Sequence, residues 1–173
     1  VAKRMVRTHG ILTPDYLVMH TGKERLPKEL GFPLLVKPVA EGTSKGVTKK
    51  SIVRTEDELR EVAREIIAKY RQPALAEQYI AGREFTVGLL GERRPRVLPP
   101  MEIVFLDASD PTPVYSFDLK QDWSKEIRYE VPAKLGEREL DRLEKAARET
   151  FAALGCRDVA RIDFRIDAQG RIF

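Results

Sequence analysis

Residues 74–91 read ALAEQYIAGREFTVGLLG, two runs either side of the turn Ala81-Gly82-Arg83. In the second run Phe85, Val87 and Leu89 alternate with smaller residues, the period of a strand that turns one face to a core. In the first run Glu77 and Tyr79 share a strand face, and Glu84 lies just past the turn. The change to period two at Gln72-Pro73 decides the fold class, because the residues before it follow a helical period.

Working upstream, Leu59, Val62, Ala63, Ile66, Ile67 and Tyr70 fall at helical spacing, and Thr55 with Glu58 three residues on reads as a capping box. LLVKP, residues 34–38, reads as a short buried strand, and Pro14 opens an extended piece, DYLVM. Residues 3–9 read as the end of a helix stopped by Gly10. Downstream, one further strand is expected within RVLPPMEIVF. The stretch from Leu106 to Val131 has no clean period and reads as a functional loop or lid. A second helix places Leu140, Leu143, Ala147, Phe151 and Leu154 on one face, with Gly155 as its stop. DVARIDFRI, the turn DAQG and RIF then form a hairpin whose second strand is three residues long, so the chain is expected to be a piece of a longer protein. The order β, α, several antiparallel strands, α, hairpin gives an α+β class with two lobes and disfavours a doubly wound parallel sheet.

Composition narrows the function. The net charge is +4 over 173 residues. Apart from Arg93-Arg94-Pro95-Arg96 and Lys49-Lys50, however, the cations are interleaved with Asp and Glu, as in ELREVAREIIAKYR, the pattern of a solvated helix face and not of a nucleic-acid stripe. Neither a nucleic-acid nor a membrane partner is expected. No window approaches the ~18 uninterrupted apolar residues of a spanning helix. VAKRMVRTHG lacks the apolar core of a secretory signal, and a cytoplasmic location is expected. The single cysteine, Cys156, excludes an internal disulfide framework and reads as a packing residue.

Three places could carry chemistry. The first is VKPVAEGTSKGVTK, residues 36–49, which is neither a Walker A loop nor a dinucleotide fingerprint. It sets Lys37 at a strand end as a fixed cation. The turn that follows has backbone N–H groups and the hydroxyls of Thr43 and Ser44 that could donate to phosphate, although such a turn is also an ordinary surface loop. The second is Glu84, suited to accept from vicinal ribose hydroxyls or simply solvated. The third is ARIDF, where alternation puts Arg161 and Asp163 on one face, opposite Ala160, Ile162 and Phe164. The pair suits either a buried structural ion pair or a site for a hard metal and a developing anion.

Taken in order, VKPVAEGTSKGV, ALAEQYIAGREFTVGLLG, YSFDLK, VPAKL and ALGCRDVARIDFRID resemble the ATP-grasp portion of D-alanine–D-alanine ligases. The resemblance implies a central ATP-grasp lobe over residues 1–79 and an incomplete C-terminal lobe over 80–173, two α+β lobes enclosing a nucleotide cleft, without the N-terminal substrate domain. It implies that Lys37 contacts adenine and the α-phosphate, and that Glu41, Gly42, Thr43, Ser44 and Gly46 belong to a phosphate flap. Glu77, Gln78 and Ile80 would form the adenine hinge, mostly through backbone groups, Glu84 would take the ribose, and Lys120 the β- and γ-phosphates. Asp163 would bind Mg²⁺ or Mn²⁺. Arg161 would stabilise the transferring phosphoryl group, and Thr43 is counted with it as catalytic.

The implied reaction is ATP-dependent joining of two D-alanines through an acyl phosphate, for peptidoglycan precursors. The substrates would be ATP and D-alanine or a similar amino acid, and the full-length protein would be a homodimer. Another ATP-grasp amino-acid or peptide ligase, or a nucleotide-binding module without catalysis, shares these motifs. Two further metal ligands are expected just beyond Phe173 and an additional ATP lysine before Val1, so the 173-residue piece is expected not to ligate by itself. Gln121 stands where these ligases often carry an aromatic lid residue, which leaves the amino-acid substrate open.

Overall fold

The computed structural model describes residues 1–42, 44–116 and 126–173. Two compact units emerge. One contains residues 14–79 and 107–126; the other contains 1–13, 80–106 and 127–173. The division falls between Tyr79 and Ile80, where the sequence resemblance sets its lobe boundary. It differs from that boundary in assigning the first 13 residues to the unit that follows Ile80, and residues 107–126 to the unit that precedes it.

The first unit holds strands β1 (Tyr16–Met19), β2 (Leu34–Pro38) and β3 (Ile52–Val53), helix α2 (Glu56–Tyr70) and strand β4 (Ala74–Gln78). The strands form an antiparallel sheet in the order β1-β4-β2-β3. Leu59, Ala63 and Ile66 of α2 pack on Met19, Leu34, Val36, Ala74 and Ala76, with Val62, Ile67 and Tyr70 at the margin, which accounts for every apolar position of the helical pattern. Thr55 caps α2 by accepting from the Glu58 amide at 3.2 Å. The Glu58 carboxylate reaches back to the Arg54 amide, at 2.6 Å, and not to that of Thr55. The expected capping box is therefore only half formed, because Glu58 finds its donor one residue further out.

The second unit holds α1 (Ala2–Thr8), β5 (Arg83–Leu90), β6 (Arg96–Val97), β7 (Met101–Phe105), β8 (Ile127–Glu130), α3 (Glu137–Ala153) and β9 (Val159–Ile166). β5 is central: β9 runs antiparallel along the whole of one edge, while β7 covers the first half of the other edge and β6 the second. RVLPPMEIVF is thus two strands and not the one expected. Pro99 and Pro100 have no N–H to continue a ladder, and Leu98 bridges the gap by donating to the Gly88 carbonyl at 2.9 Å. β8 pairs with β7 inside the stretch read as aperiodic; its four residues are too few to show a period. α3 covers one face of the sheet, burying Leu143, Ala147 and Phe151 against Phe85, Val87, Leu89, Phe164 and Ile166, with Cys156 packed at the edge. The closing hairpin forms as read, through paired hydrogen bonds between Arg165 and Phe173 and an Ile166–Ile172 bridge. Among the described residues no helix is long and apolar enough to cross a membrane.

Candidate functional site

In the first unit Lys37 and Glu77 project from neighbouring strands. Leu35 is the register partner of Glu77, so Lys37, two residues on, reaches it diagonally, with Nζ 2.5 Å from Oε1. The Glu77 side chain is 8% exposed and that of Lys37 33%. The buried carboxylate therefore anchors an ammonium that still reaches solvent.

The following turn closes because residue 46 is glycine. Its φ is +82°, and a Cβ there would lie 2.8 Å from Pro38 Cγ and 3.1 Å from Tyr70 Cζ. Ser44 also has positive φ, +58°. The Lys45 amide donates to the Gly42 carbonyl at 3.0 Å and the Val47 amide to that of Ser44 at 2.9 Å, so two of the amides that could have served phosphate are used within the turn. Glu41 sits at the base, its oxygens accepting from Gln72 Nε2 at 2.9 Å and lying 3.2 Å from Lys45 Nζ. The end of β4 is tied down as well, with the Gln78 amide on Asp15 and the Tyr79 amide on Pro33. Thr43, Lys120 and Gln121 lie outside the described residues.

In the second unit, register and alternation assemble a polar face. Glu84 is opposite Arg165, Thr86 opposite Asp163, and Gly88 opposite Arg161, all on the side of the sheet away from the Phe85–Phe164 core. Thr86 Oγ1 donates to Asp163 Oδ1 at 2.6 Å, and Arg161 Nε lies 3.4 Å from the same oxygen. The side chains of Arg161 and Asp163 are 63% and 60% exposed, so they do not form the buried structural pair considered from the sequence. An ion pair this open contributes at most about 1 kcal/mol, which leaves both groups available to a ligand.

Glu84 is held differently. Arg165 Nη2 donates to its Oε2 at 2.5 Å, with the two side chains only 17% and 15% exposed, and Arg165 Nη1 donates to the Ile80 carbonyl at 3.2 Å. One step along β5, Arg83 grips buried Glu102 with Nε and Nη2 at 2.7 and 2.6 Å. The hydrogen bond to Glu102 holds the guanidinium pKa above its ordinary value.

Three of these residues escape a reading of the sequence. Arg165 has the same strand parity as Arg161 and Asp163, and that parity is the signal that would have found it. Thr86 and Glu102 are revealed only by strand register, which no local pattern encodes.

The donor set suits a hard cation in part. Asp163 offers an exposed carboxylate oriented by a hydroxyl, the chemistry that Mg²⁺ or Mn²⁺ favours, but among the described residues no group of three His, Cys, Asp or Glu side chains is clustered for a metal.

A family model described as D-ala D-ala ligase C-terminus matches residues 5–173. A D-alanine–D-alanine ligase from Pelotomaculum thermopropionicum is 32% identical over 181 residues, covering 99% of this chain and 54% of that protein. Among solved structures, the D-alanine–D-alanine ligase from Bacillus anthracis complexed with ATP aligns at TM-score 0.73 and 28% identity, over 99% of this chain and 52% of that one. An L-amino acid ligase from Bacillus licheniformis aligns at TM-score 0.73 and 25% identity, over 99% and 37%. The chain spans about half the length of the relatives it matches. The mixed architecture of two antiparallel sheets is that of the ATP-grasp ligases, as the sequence resemblance implied. With the family model running from residue 5 to the last residue, the chain belongs to the D-alanine–D-alanine ligase family, in the C-terminal portion that the model describes.

Proposed function

We propose that this chain is the ATP-binding portion of a cytoplasmic, homodimeric ligase that joins two D-alanines for peptidoglycan precursors. The observation that carries the reading is the polar face of the β5–β9 pair, where Glu84, Thr86, Arg161 and Asp163 stand on one side of the sheet, opposite its apolar core. A carboxylate for ribose, a carboxylate for a hard metal and a guanidinium for a transferring phosphoryl group are the parts phosphoryl transfer needs, since its catalysis is mostly positioning and charge stabilisation.

In this reading Lys37, held by Glu77, meets adenine and the α-phosphate. Glu41, Gly42, Thr43, Ser44 and Gly46 cover the phosphates, and Lys120 reaches the β- and γ-phosphates. Glu77, Gln78 and Ile80 border adenine, and Glu84 accepts from the ribose hydroxyls. Asp163 would help to hold a divalent cation, which when bound would neutralise phosphate charge. A carboxylate oxygen of the first D-alanine takes the γ-phosphoryl group and ADP leaves. The amine of the second D-alanine then attacks the acyl carbon, phosphate departs, and the nitrogen loses a proton as the peptide bond forms. Arg161 stabilises the negative charge that develops in both steps, and Thr43 is assigned a catalytic role as well.

A second reading, a ligase of other amino acids, is supported by the likeness to the L-amino acid ligase. One assay separates the readings: phosphate release by the full-length protein with ATP and a panel of D- and L-amino acids. Release with D-alanine and formation of the D-alanyl dipeptide is the expected result. Release with another amino acid only would favour the second reading, and ATP binding without release for any amino acid would leave a non-catalytic nucleotide module.

A further inference from the structure

Arg165 is not among the residues assigned above, yet it touches two that are. It stands on β9 in register with Glu84, its guanidinium donating to Glu84 Oε2 at 2.5 Å through Nη2 and to the Ile80 carbonyl at 3.2 Å through Nη1. The same guanidinium lies over the Phe105 ring, 5.8 Å from its centroid. The segments it ties together are the start of β5, the connection that enters it from β4, and β7. Only a planar fork with several fixed donors can do this; a lysine ammonium at the same position is a point charge that cannot span a carboxylate and a carbonyl in one plane. The carboxylate of Glu84 has four lone-pair sites, so a bond to Arg165 leaves it the capacity to accept from a ligand while losing its freedom to rotate.

We propose that Arg165 is the positioning residue for ribose recognition: it locks the Glu84 carboxylate and the Ile80 backbone into one fixed geometry against which the nucleotide's vicinal hydroxyls are read. This rests on the ATP reading above. It adds a consequence that reading lacks, since a ligand hydroxyl is distinguished from its absence only when its acceptor is held in place. Arg165 touches neither phosphate nor reacting atoms in this role, so its loss falls on sugar discrimination and not on the chemical step.

The test uses the full-length protein that carries this chain, with the affinity for ATP, 2′-deoxy-ATP and 3′-deoxy-ATP measured for the wild type, for Arg165→Met, Arg165→Lys and Glu84→Gln, and for the double variant Arg165→Met/Glu84→Gln. The wild type is expected to prefer ATP over the better of the two deoxy analogues by about tenfold, the worth of one hydrogen bond to a charged acceptor. In Arg165→Met and Arg165→Lys the preference collapses to within about threefold, mainly through weaker ATP binding. In Arg165→Met/Glu84→Gln the loss is no greater than in either single variant, because the two residues act as one unit. A merely structural role would lower the melting temperature and weaken all three nucleotides alike. If Arg165→Met does not fold, Arg165→Lys, which keeps the charge and the stem, decides. An unchanged ratio in either folded variant overturns the proposal, as does a wild type that binds ATP without discriminating; both leave the ATP reading standing. A wild type that binds none of the three nucleotides overturns both.

Discussion

Gly82 carries more of the architecture than its place in a three-residue turn suggests, and Gly82→Ala tests this directly. Its φ is +145°, outside the range L side chains adopt, and a Cβ added there would lie 2.0 Å from the Ile166 carbonyl oxygen, 2.9 Å from its carbonyl carbon and 3.0 Å from Asp167 Cα. All three are backbone atoms, so no side chain can swing aside. The oxygen is about 1 Å closer than the 3.0 Å limit that real Cβ contacts respect. The strained φ costs about 1–3 kcal/mol and forcing a methyl against packed backbone about as much again, a total of about 2–6 kcal/mol. That is a large share of the stability of a typical domain, and for a chain of this length it lowers the melting temperature by about 4 °C or more.

The displacement would begin at the Arg83–Ile166 end of the β5–β9 ladder, beside Glu84 and Arg165, so nucleotide affinity should fall with stability. Thermal unfolding by circular dichroism, with and without ATP, reads both effects. Gly31→Ala is the control: an added Cβ meets nothing within 4 Å and φ is not in the left-handed range, so the change should stay within about 0.5 kcal/mol. A Gly82→Ala protein that melts within 2 °C of the wild type, about the noise of such a comparison, would refute the argument.

Two other perturbations follow from pairs that differ in burial. Arg83→Met takes the two-pronged partner from Glu102, which is 7% exposed, and should cost about 2–3 kcal/mol, less than a fully buried pair because the Arg83 side chain is 39% exposed. Glu102→Gln should cost only about 1 kcal/mol, since Arg83 keeps the Lys134 carbonyl at 2.8 Å and Glu139 at 3.5 Å; equal losses in urea unfolding would contradict the assigned asymmetry. In the loop after β1, Glu24 Oε1 accepts from the amides of His20 and Thr21 and from the Thr21 hydroxyl. Burial pushes the Glu24 pKa up, but the backbone amides of Glu24, Thr21 and His20 outweigh it and bring the value down from 4.5 to about 2. A carboxylate depressed in the folded state stabilises fully above its unfolded pKa and loses that contribution as pH falls through the folded one, so the relevant window is about pH 4.5 down to 2. Glu24→Gln should be less stable at neutral pH by about 1 kcal/mol, after discounting for its exposure, and should show a flatter acid-unfolding curve in that window. Parallel curves for the two proteins would count against the assignment.

Local pattern carried the elements whose apolar residues repeat often enough to show a period. Five to six positions on each of the two long helices and three on β5 sufficed, and the same alternation on β9 put Arg161 and Asp163 on one face. It failed where an element is too short or is interrupted. β8 has four residues, β6 has two, and the prolines between β6 and β7 end one strand and permit another without any change in apolar character. The runs either side of Ala81-Gly82-Arg83 look like neighbours across a turn, yet β4 pairs with β1 and β2 while β5 pairs with β6, β7 and β9. Period two fixes which face a residue takes, but not which strand lies beside it.

The candidate site divides along the same line. Lys37, Glu84, Arg161 and Asp163 are chemically conspicuous and could be singled out one by one, whereas the pairings that orient Lys37, Asp163 and Glu84 could not. Glu77 orients Lys37 from a strand that follows forty residues later, Thr86 orients Asp163 across seventy-seven, and Arg165 holds Glu84 across eighty-one. Each partner is chosen by antiparallel register, which is settled by whole faces packing on α2 or α3 and not by the side chains that benefit. This has a consequence for function. A substitution at Arg165, Thr86 or Glu77 leaves every conspicuous residue intact and still removes what fixes its position. A ligand that binds by fixed hydrogen-bond geometry should therefore be as sensitive to these three positions as to the three residues they hold, Lys37, Asp163 and Glu84.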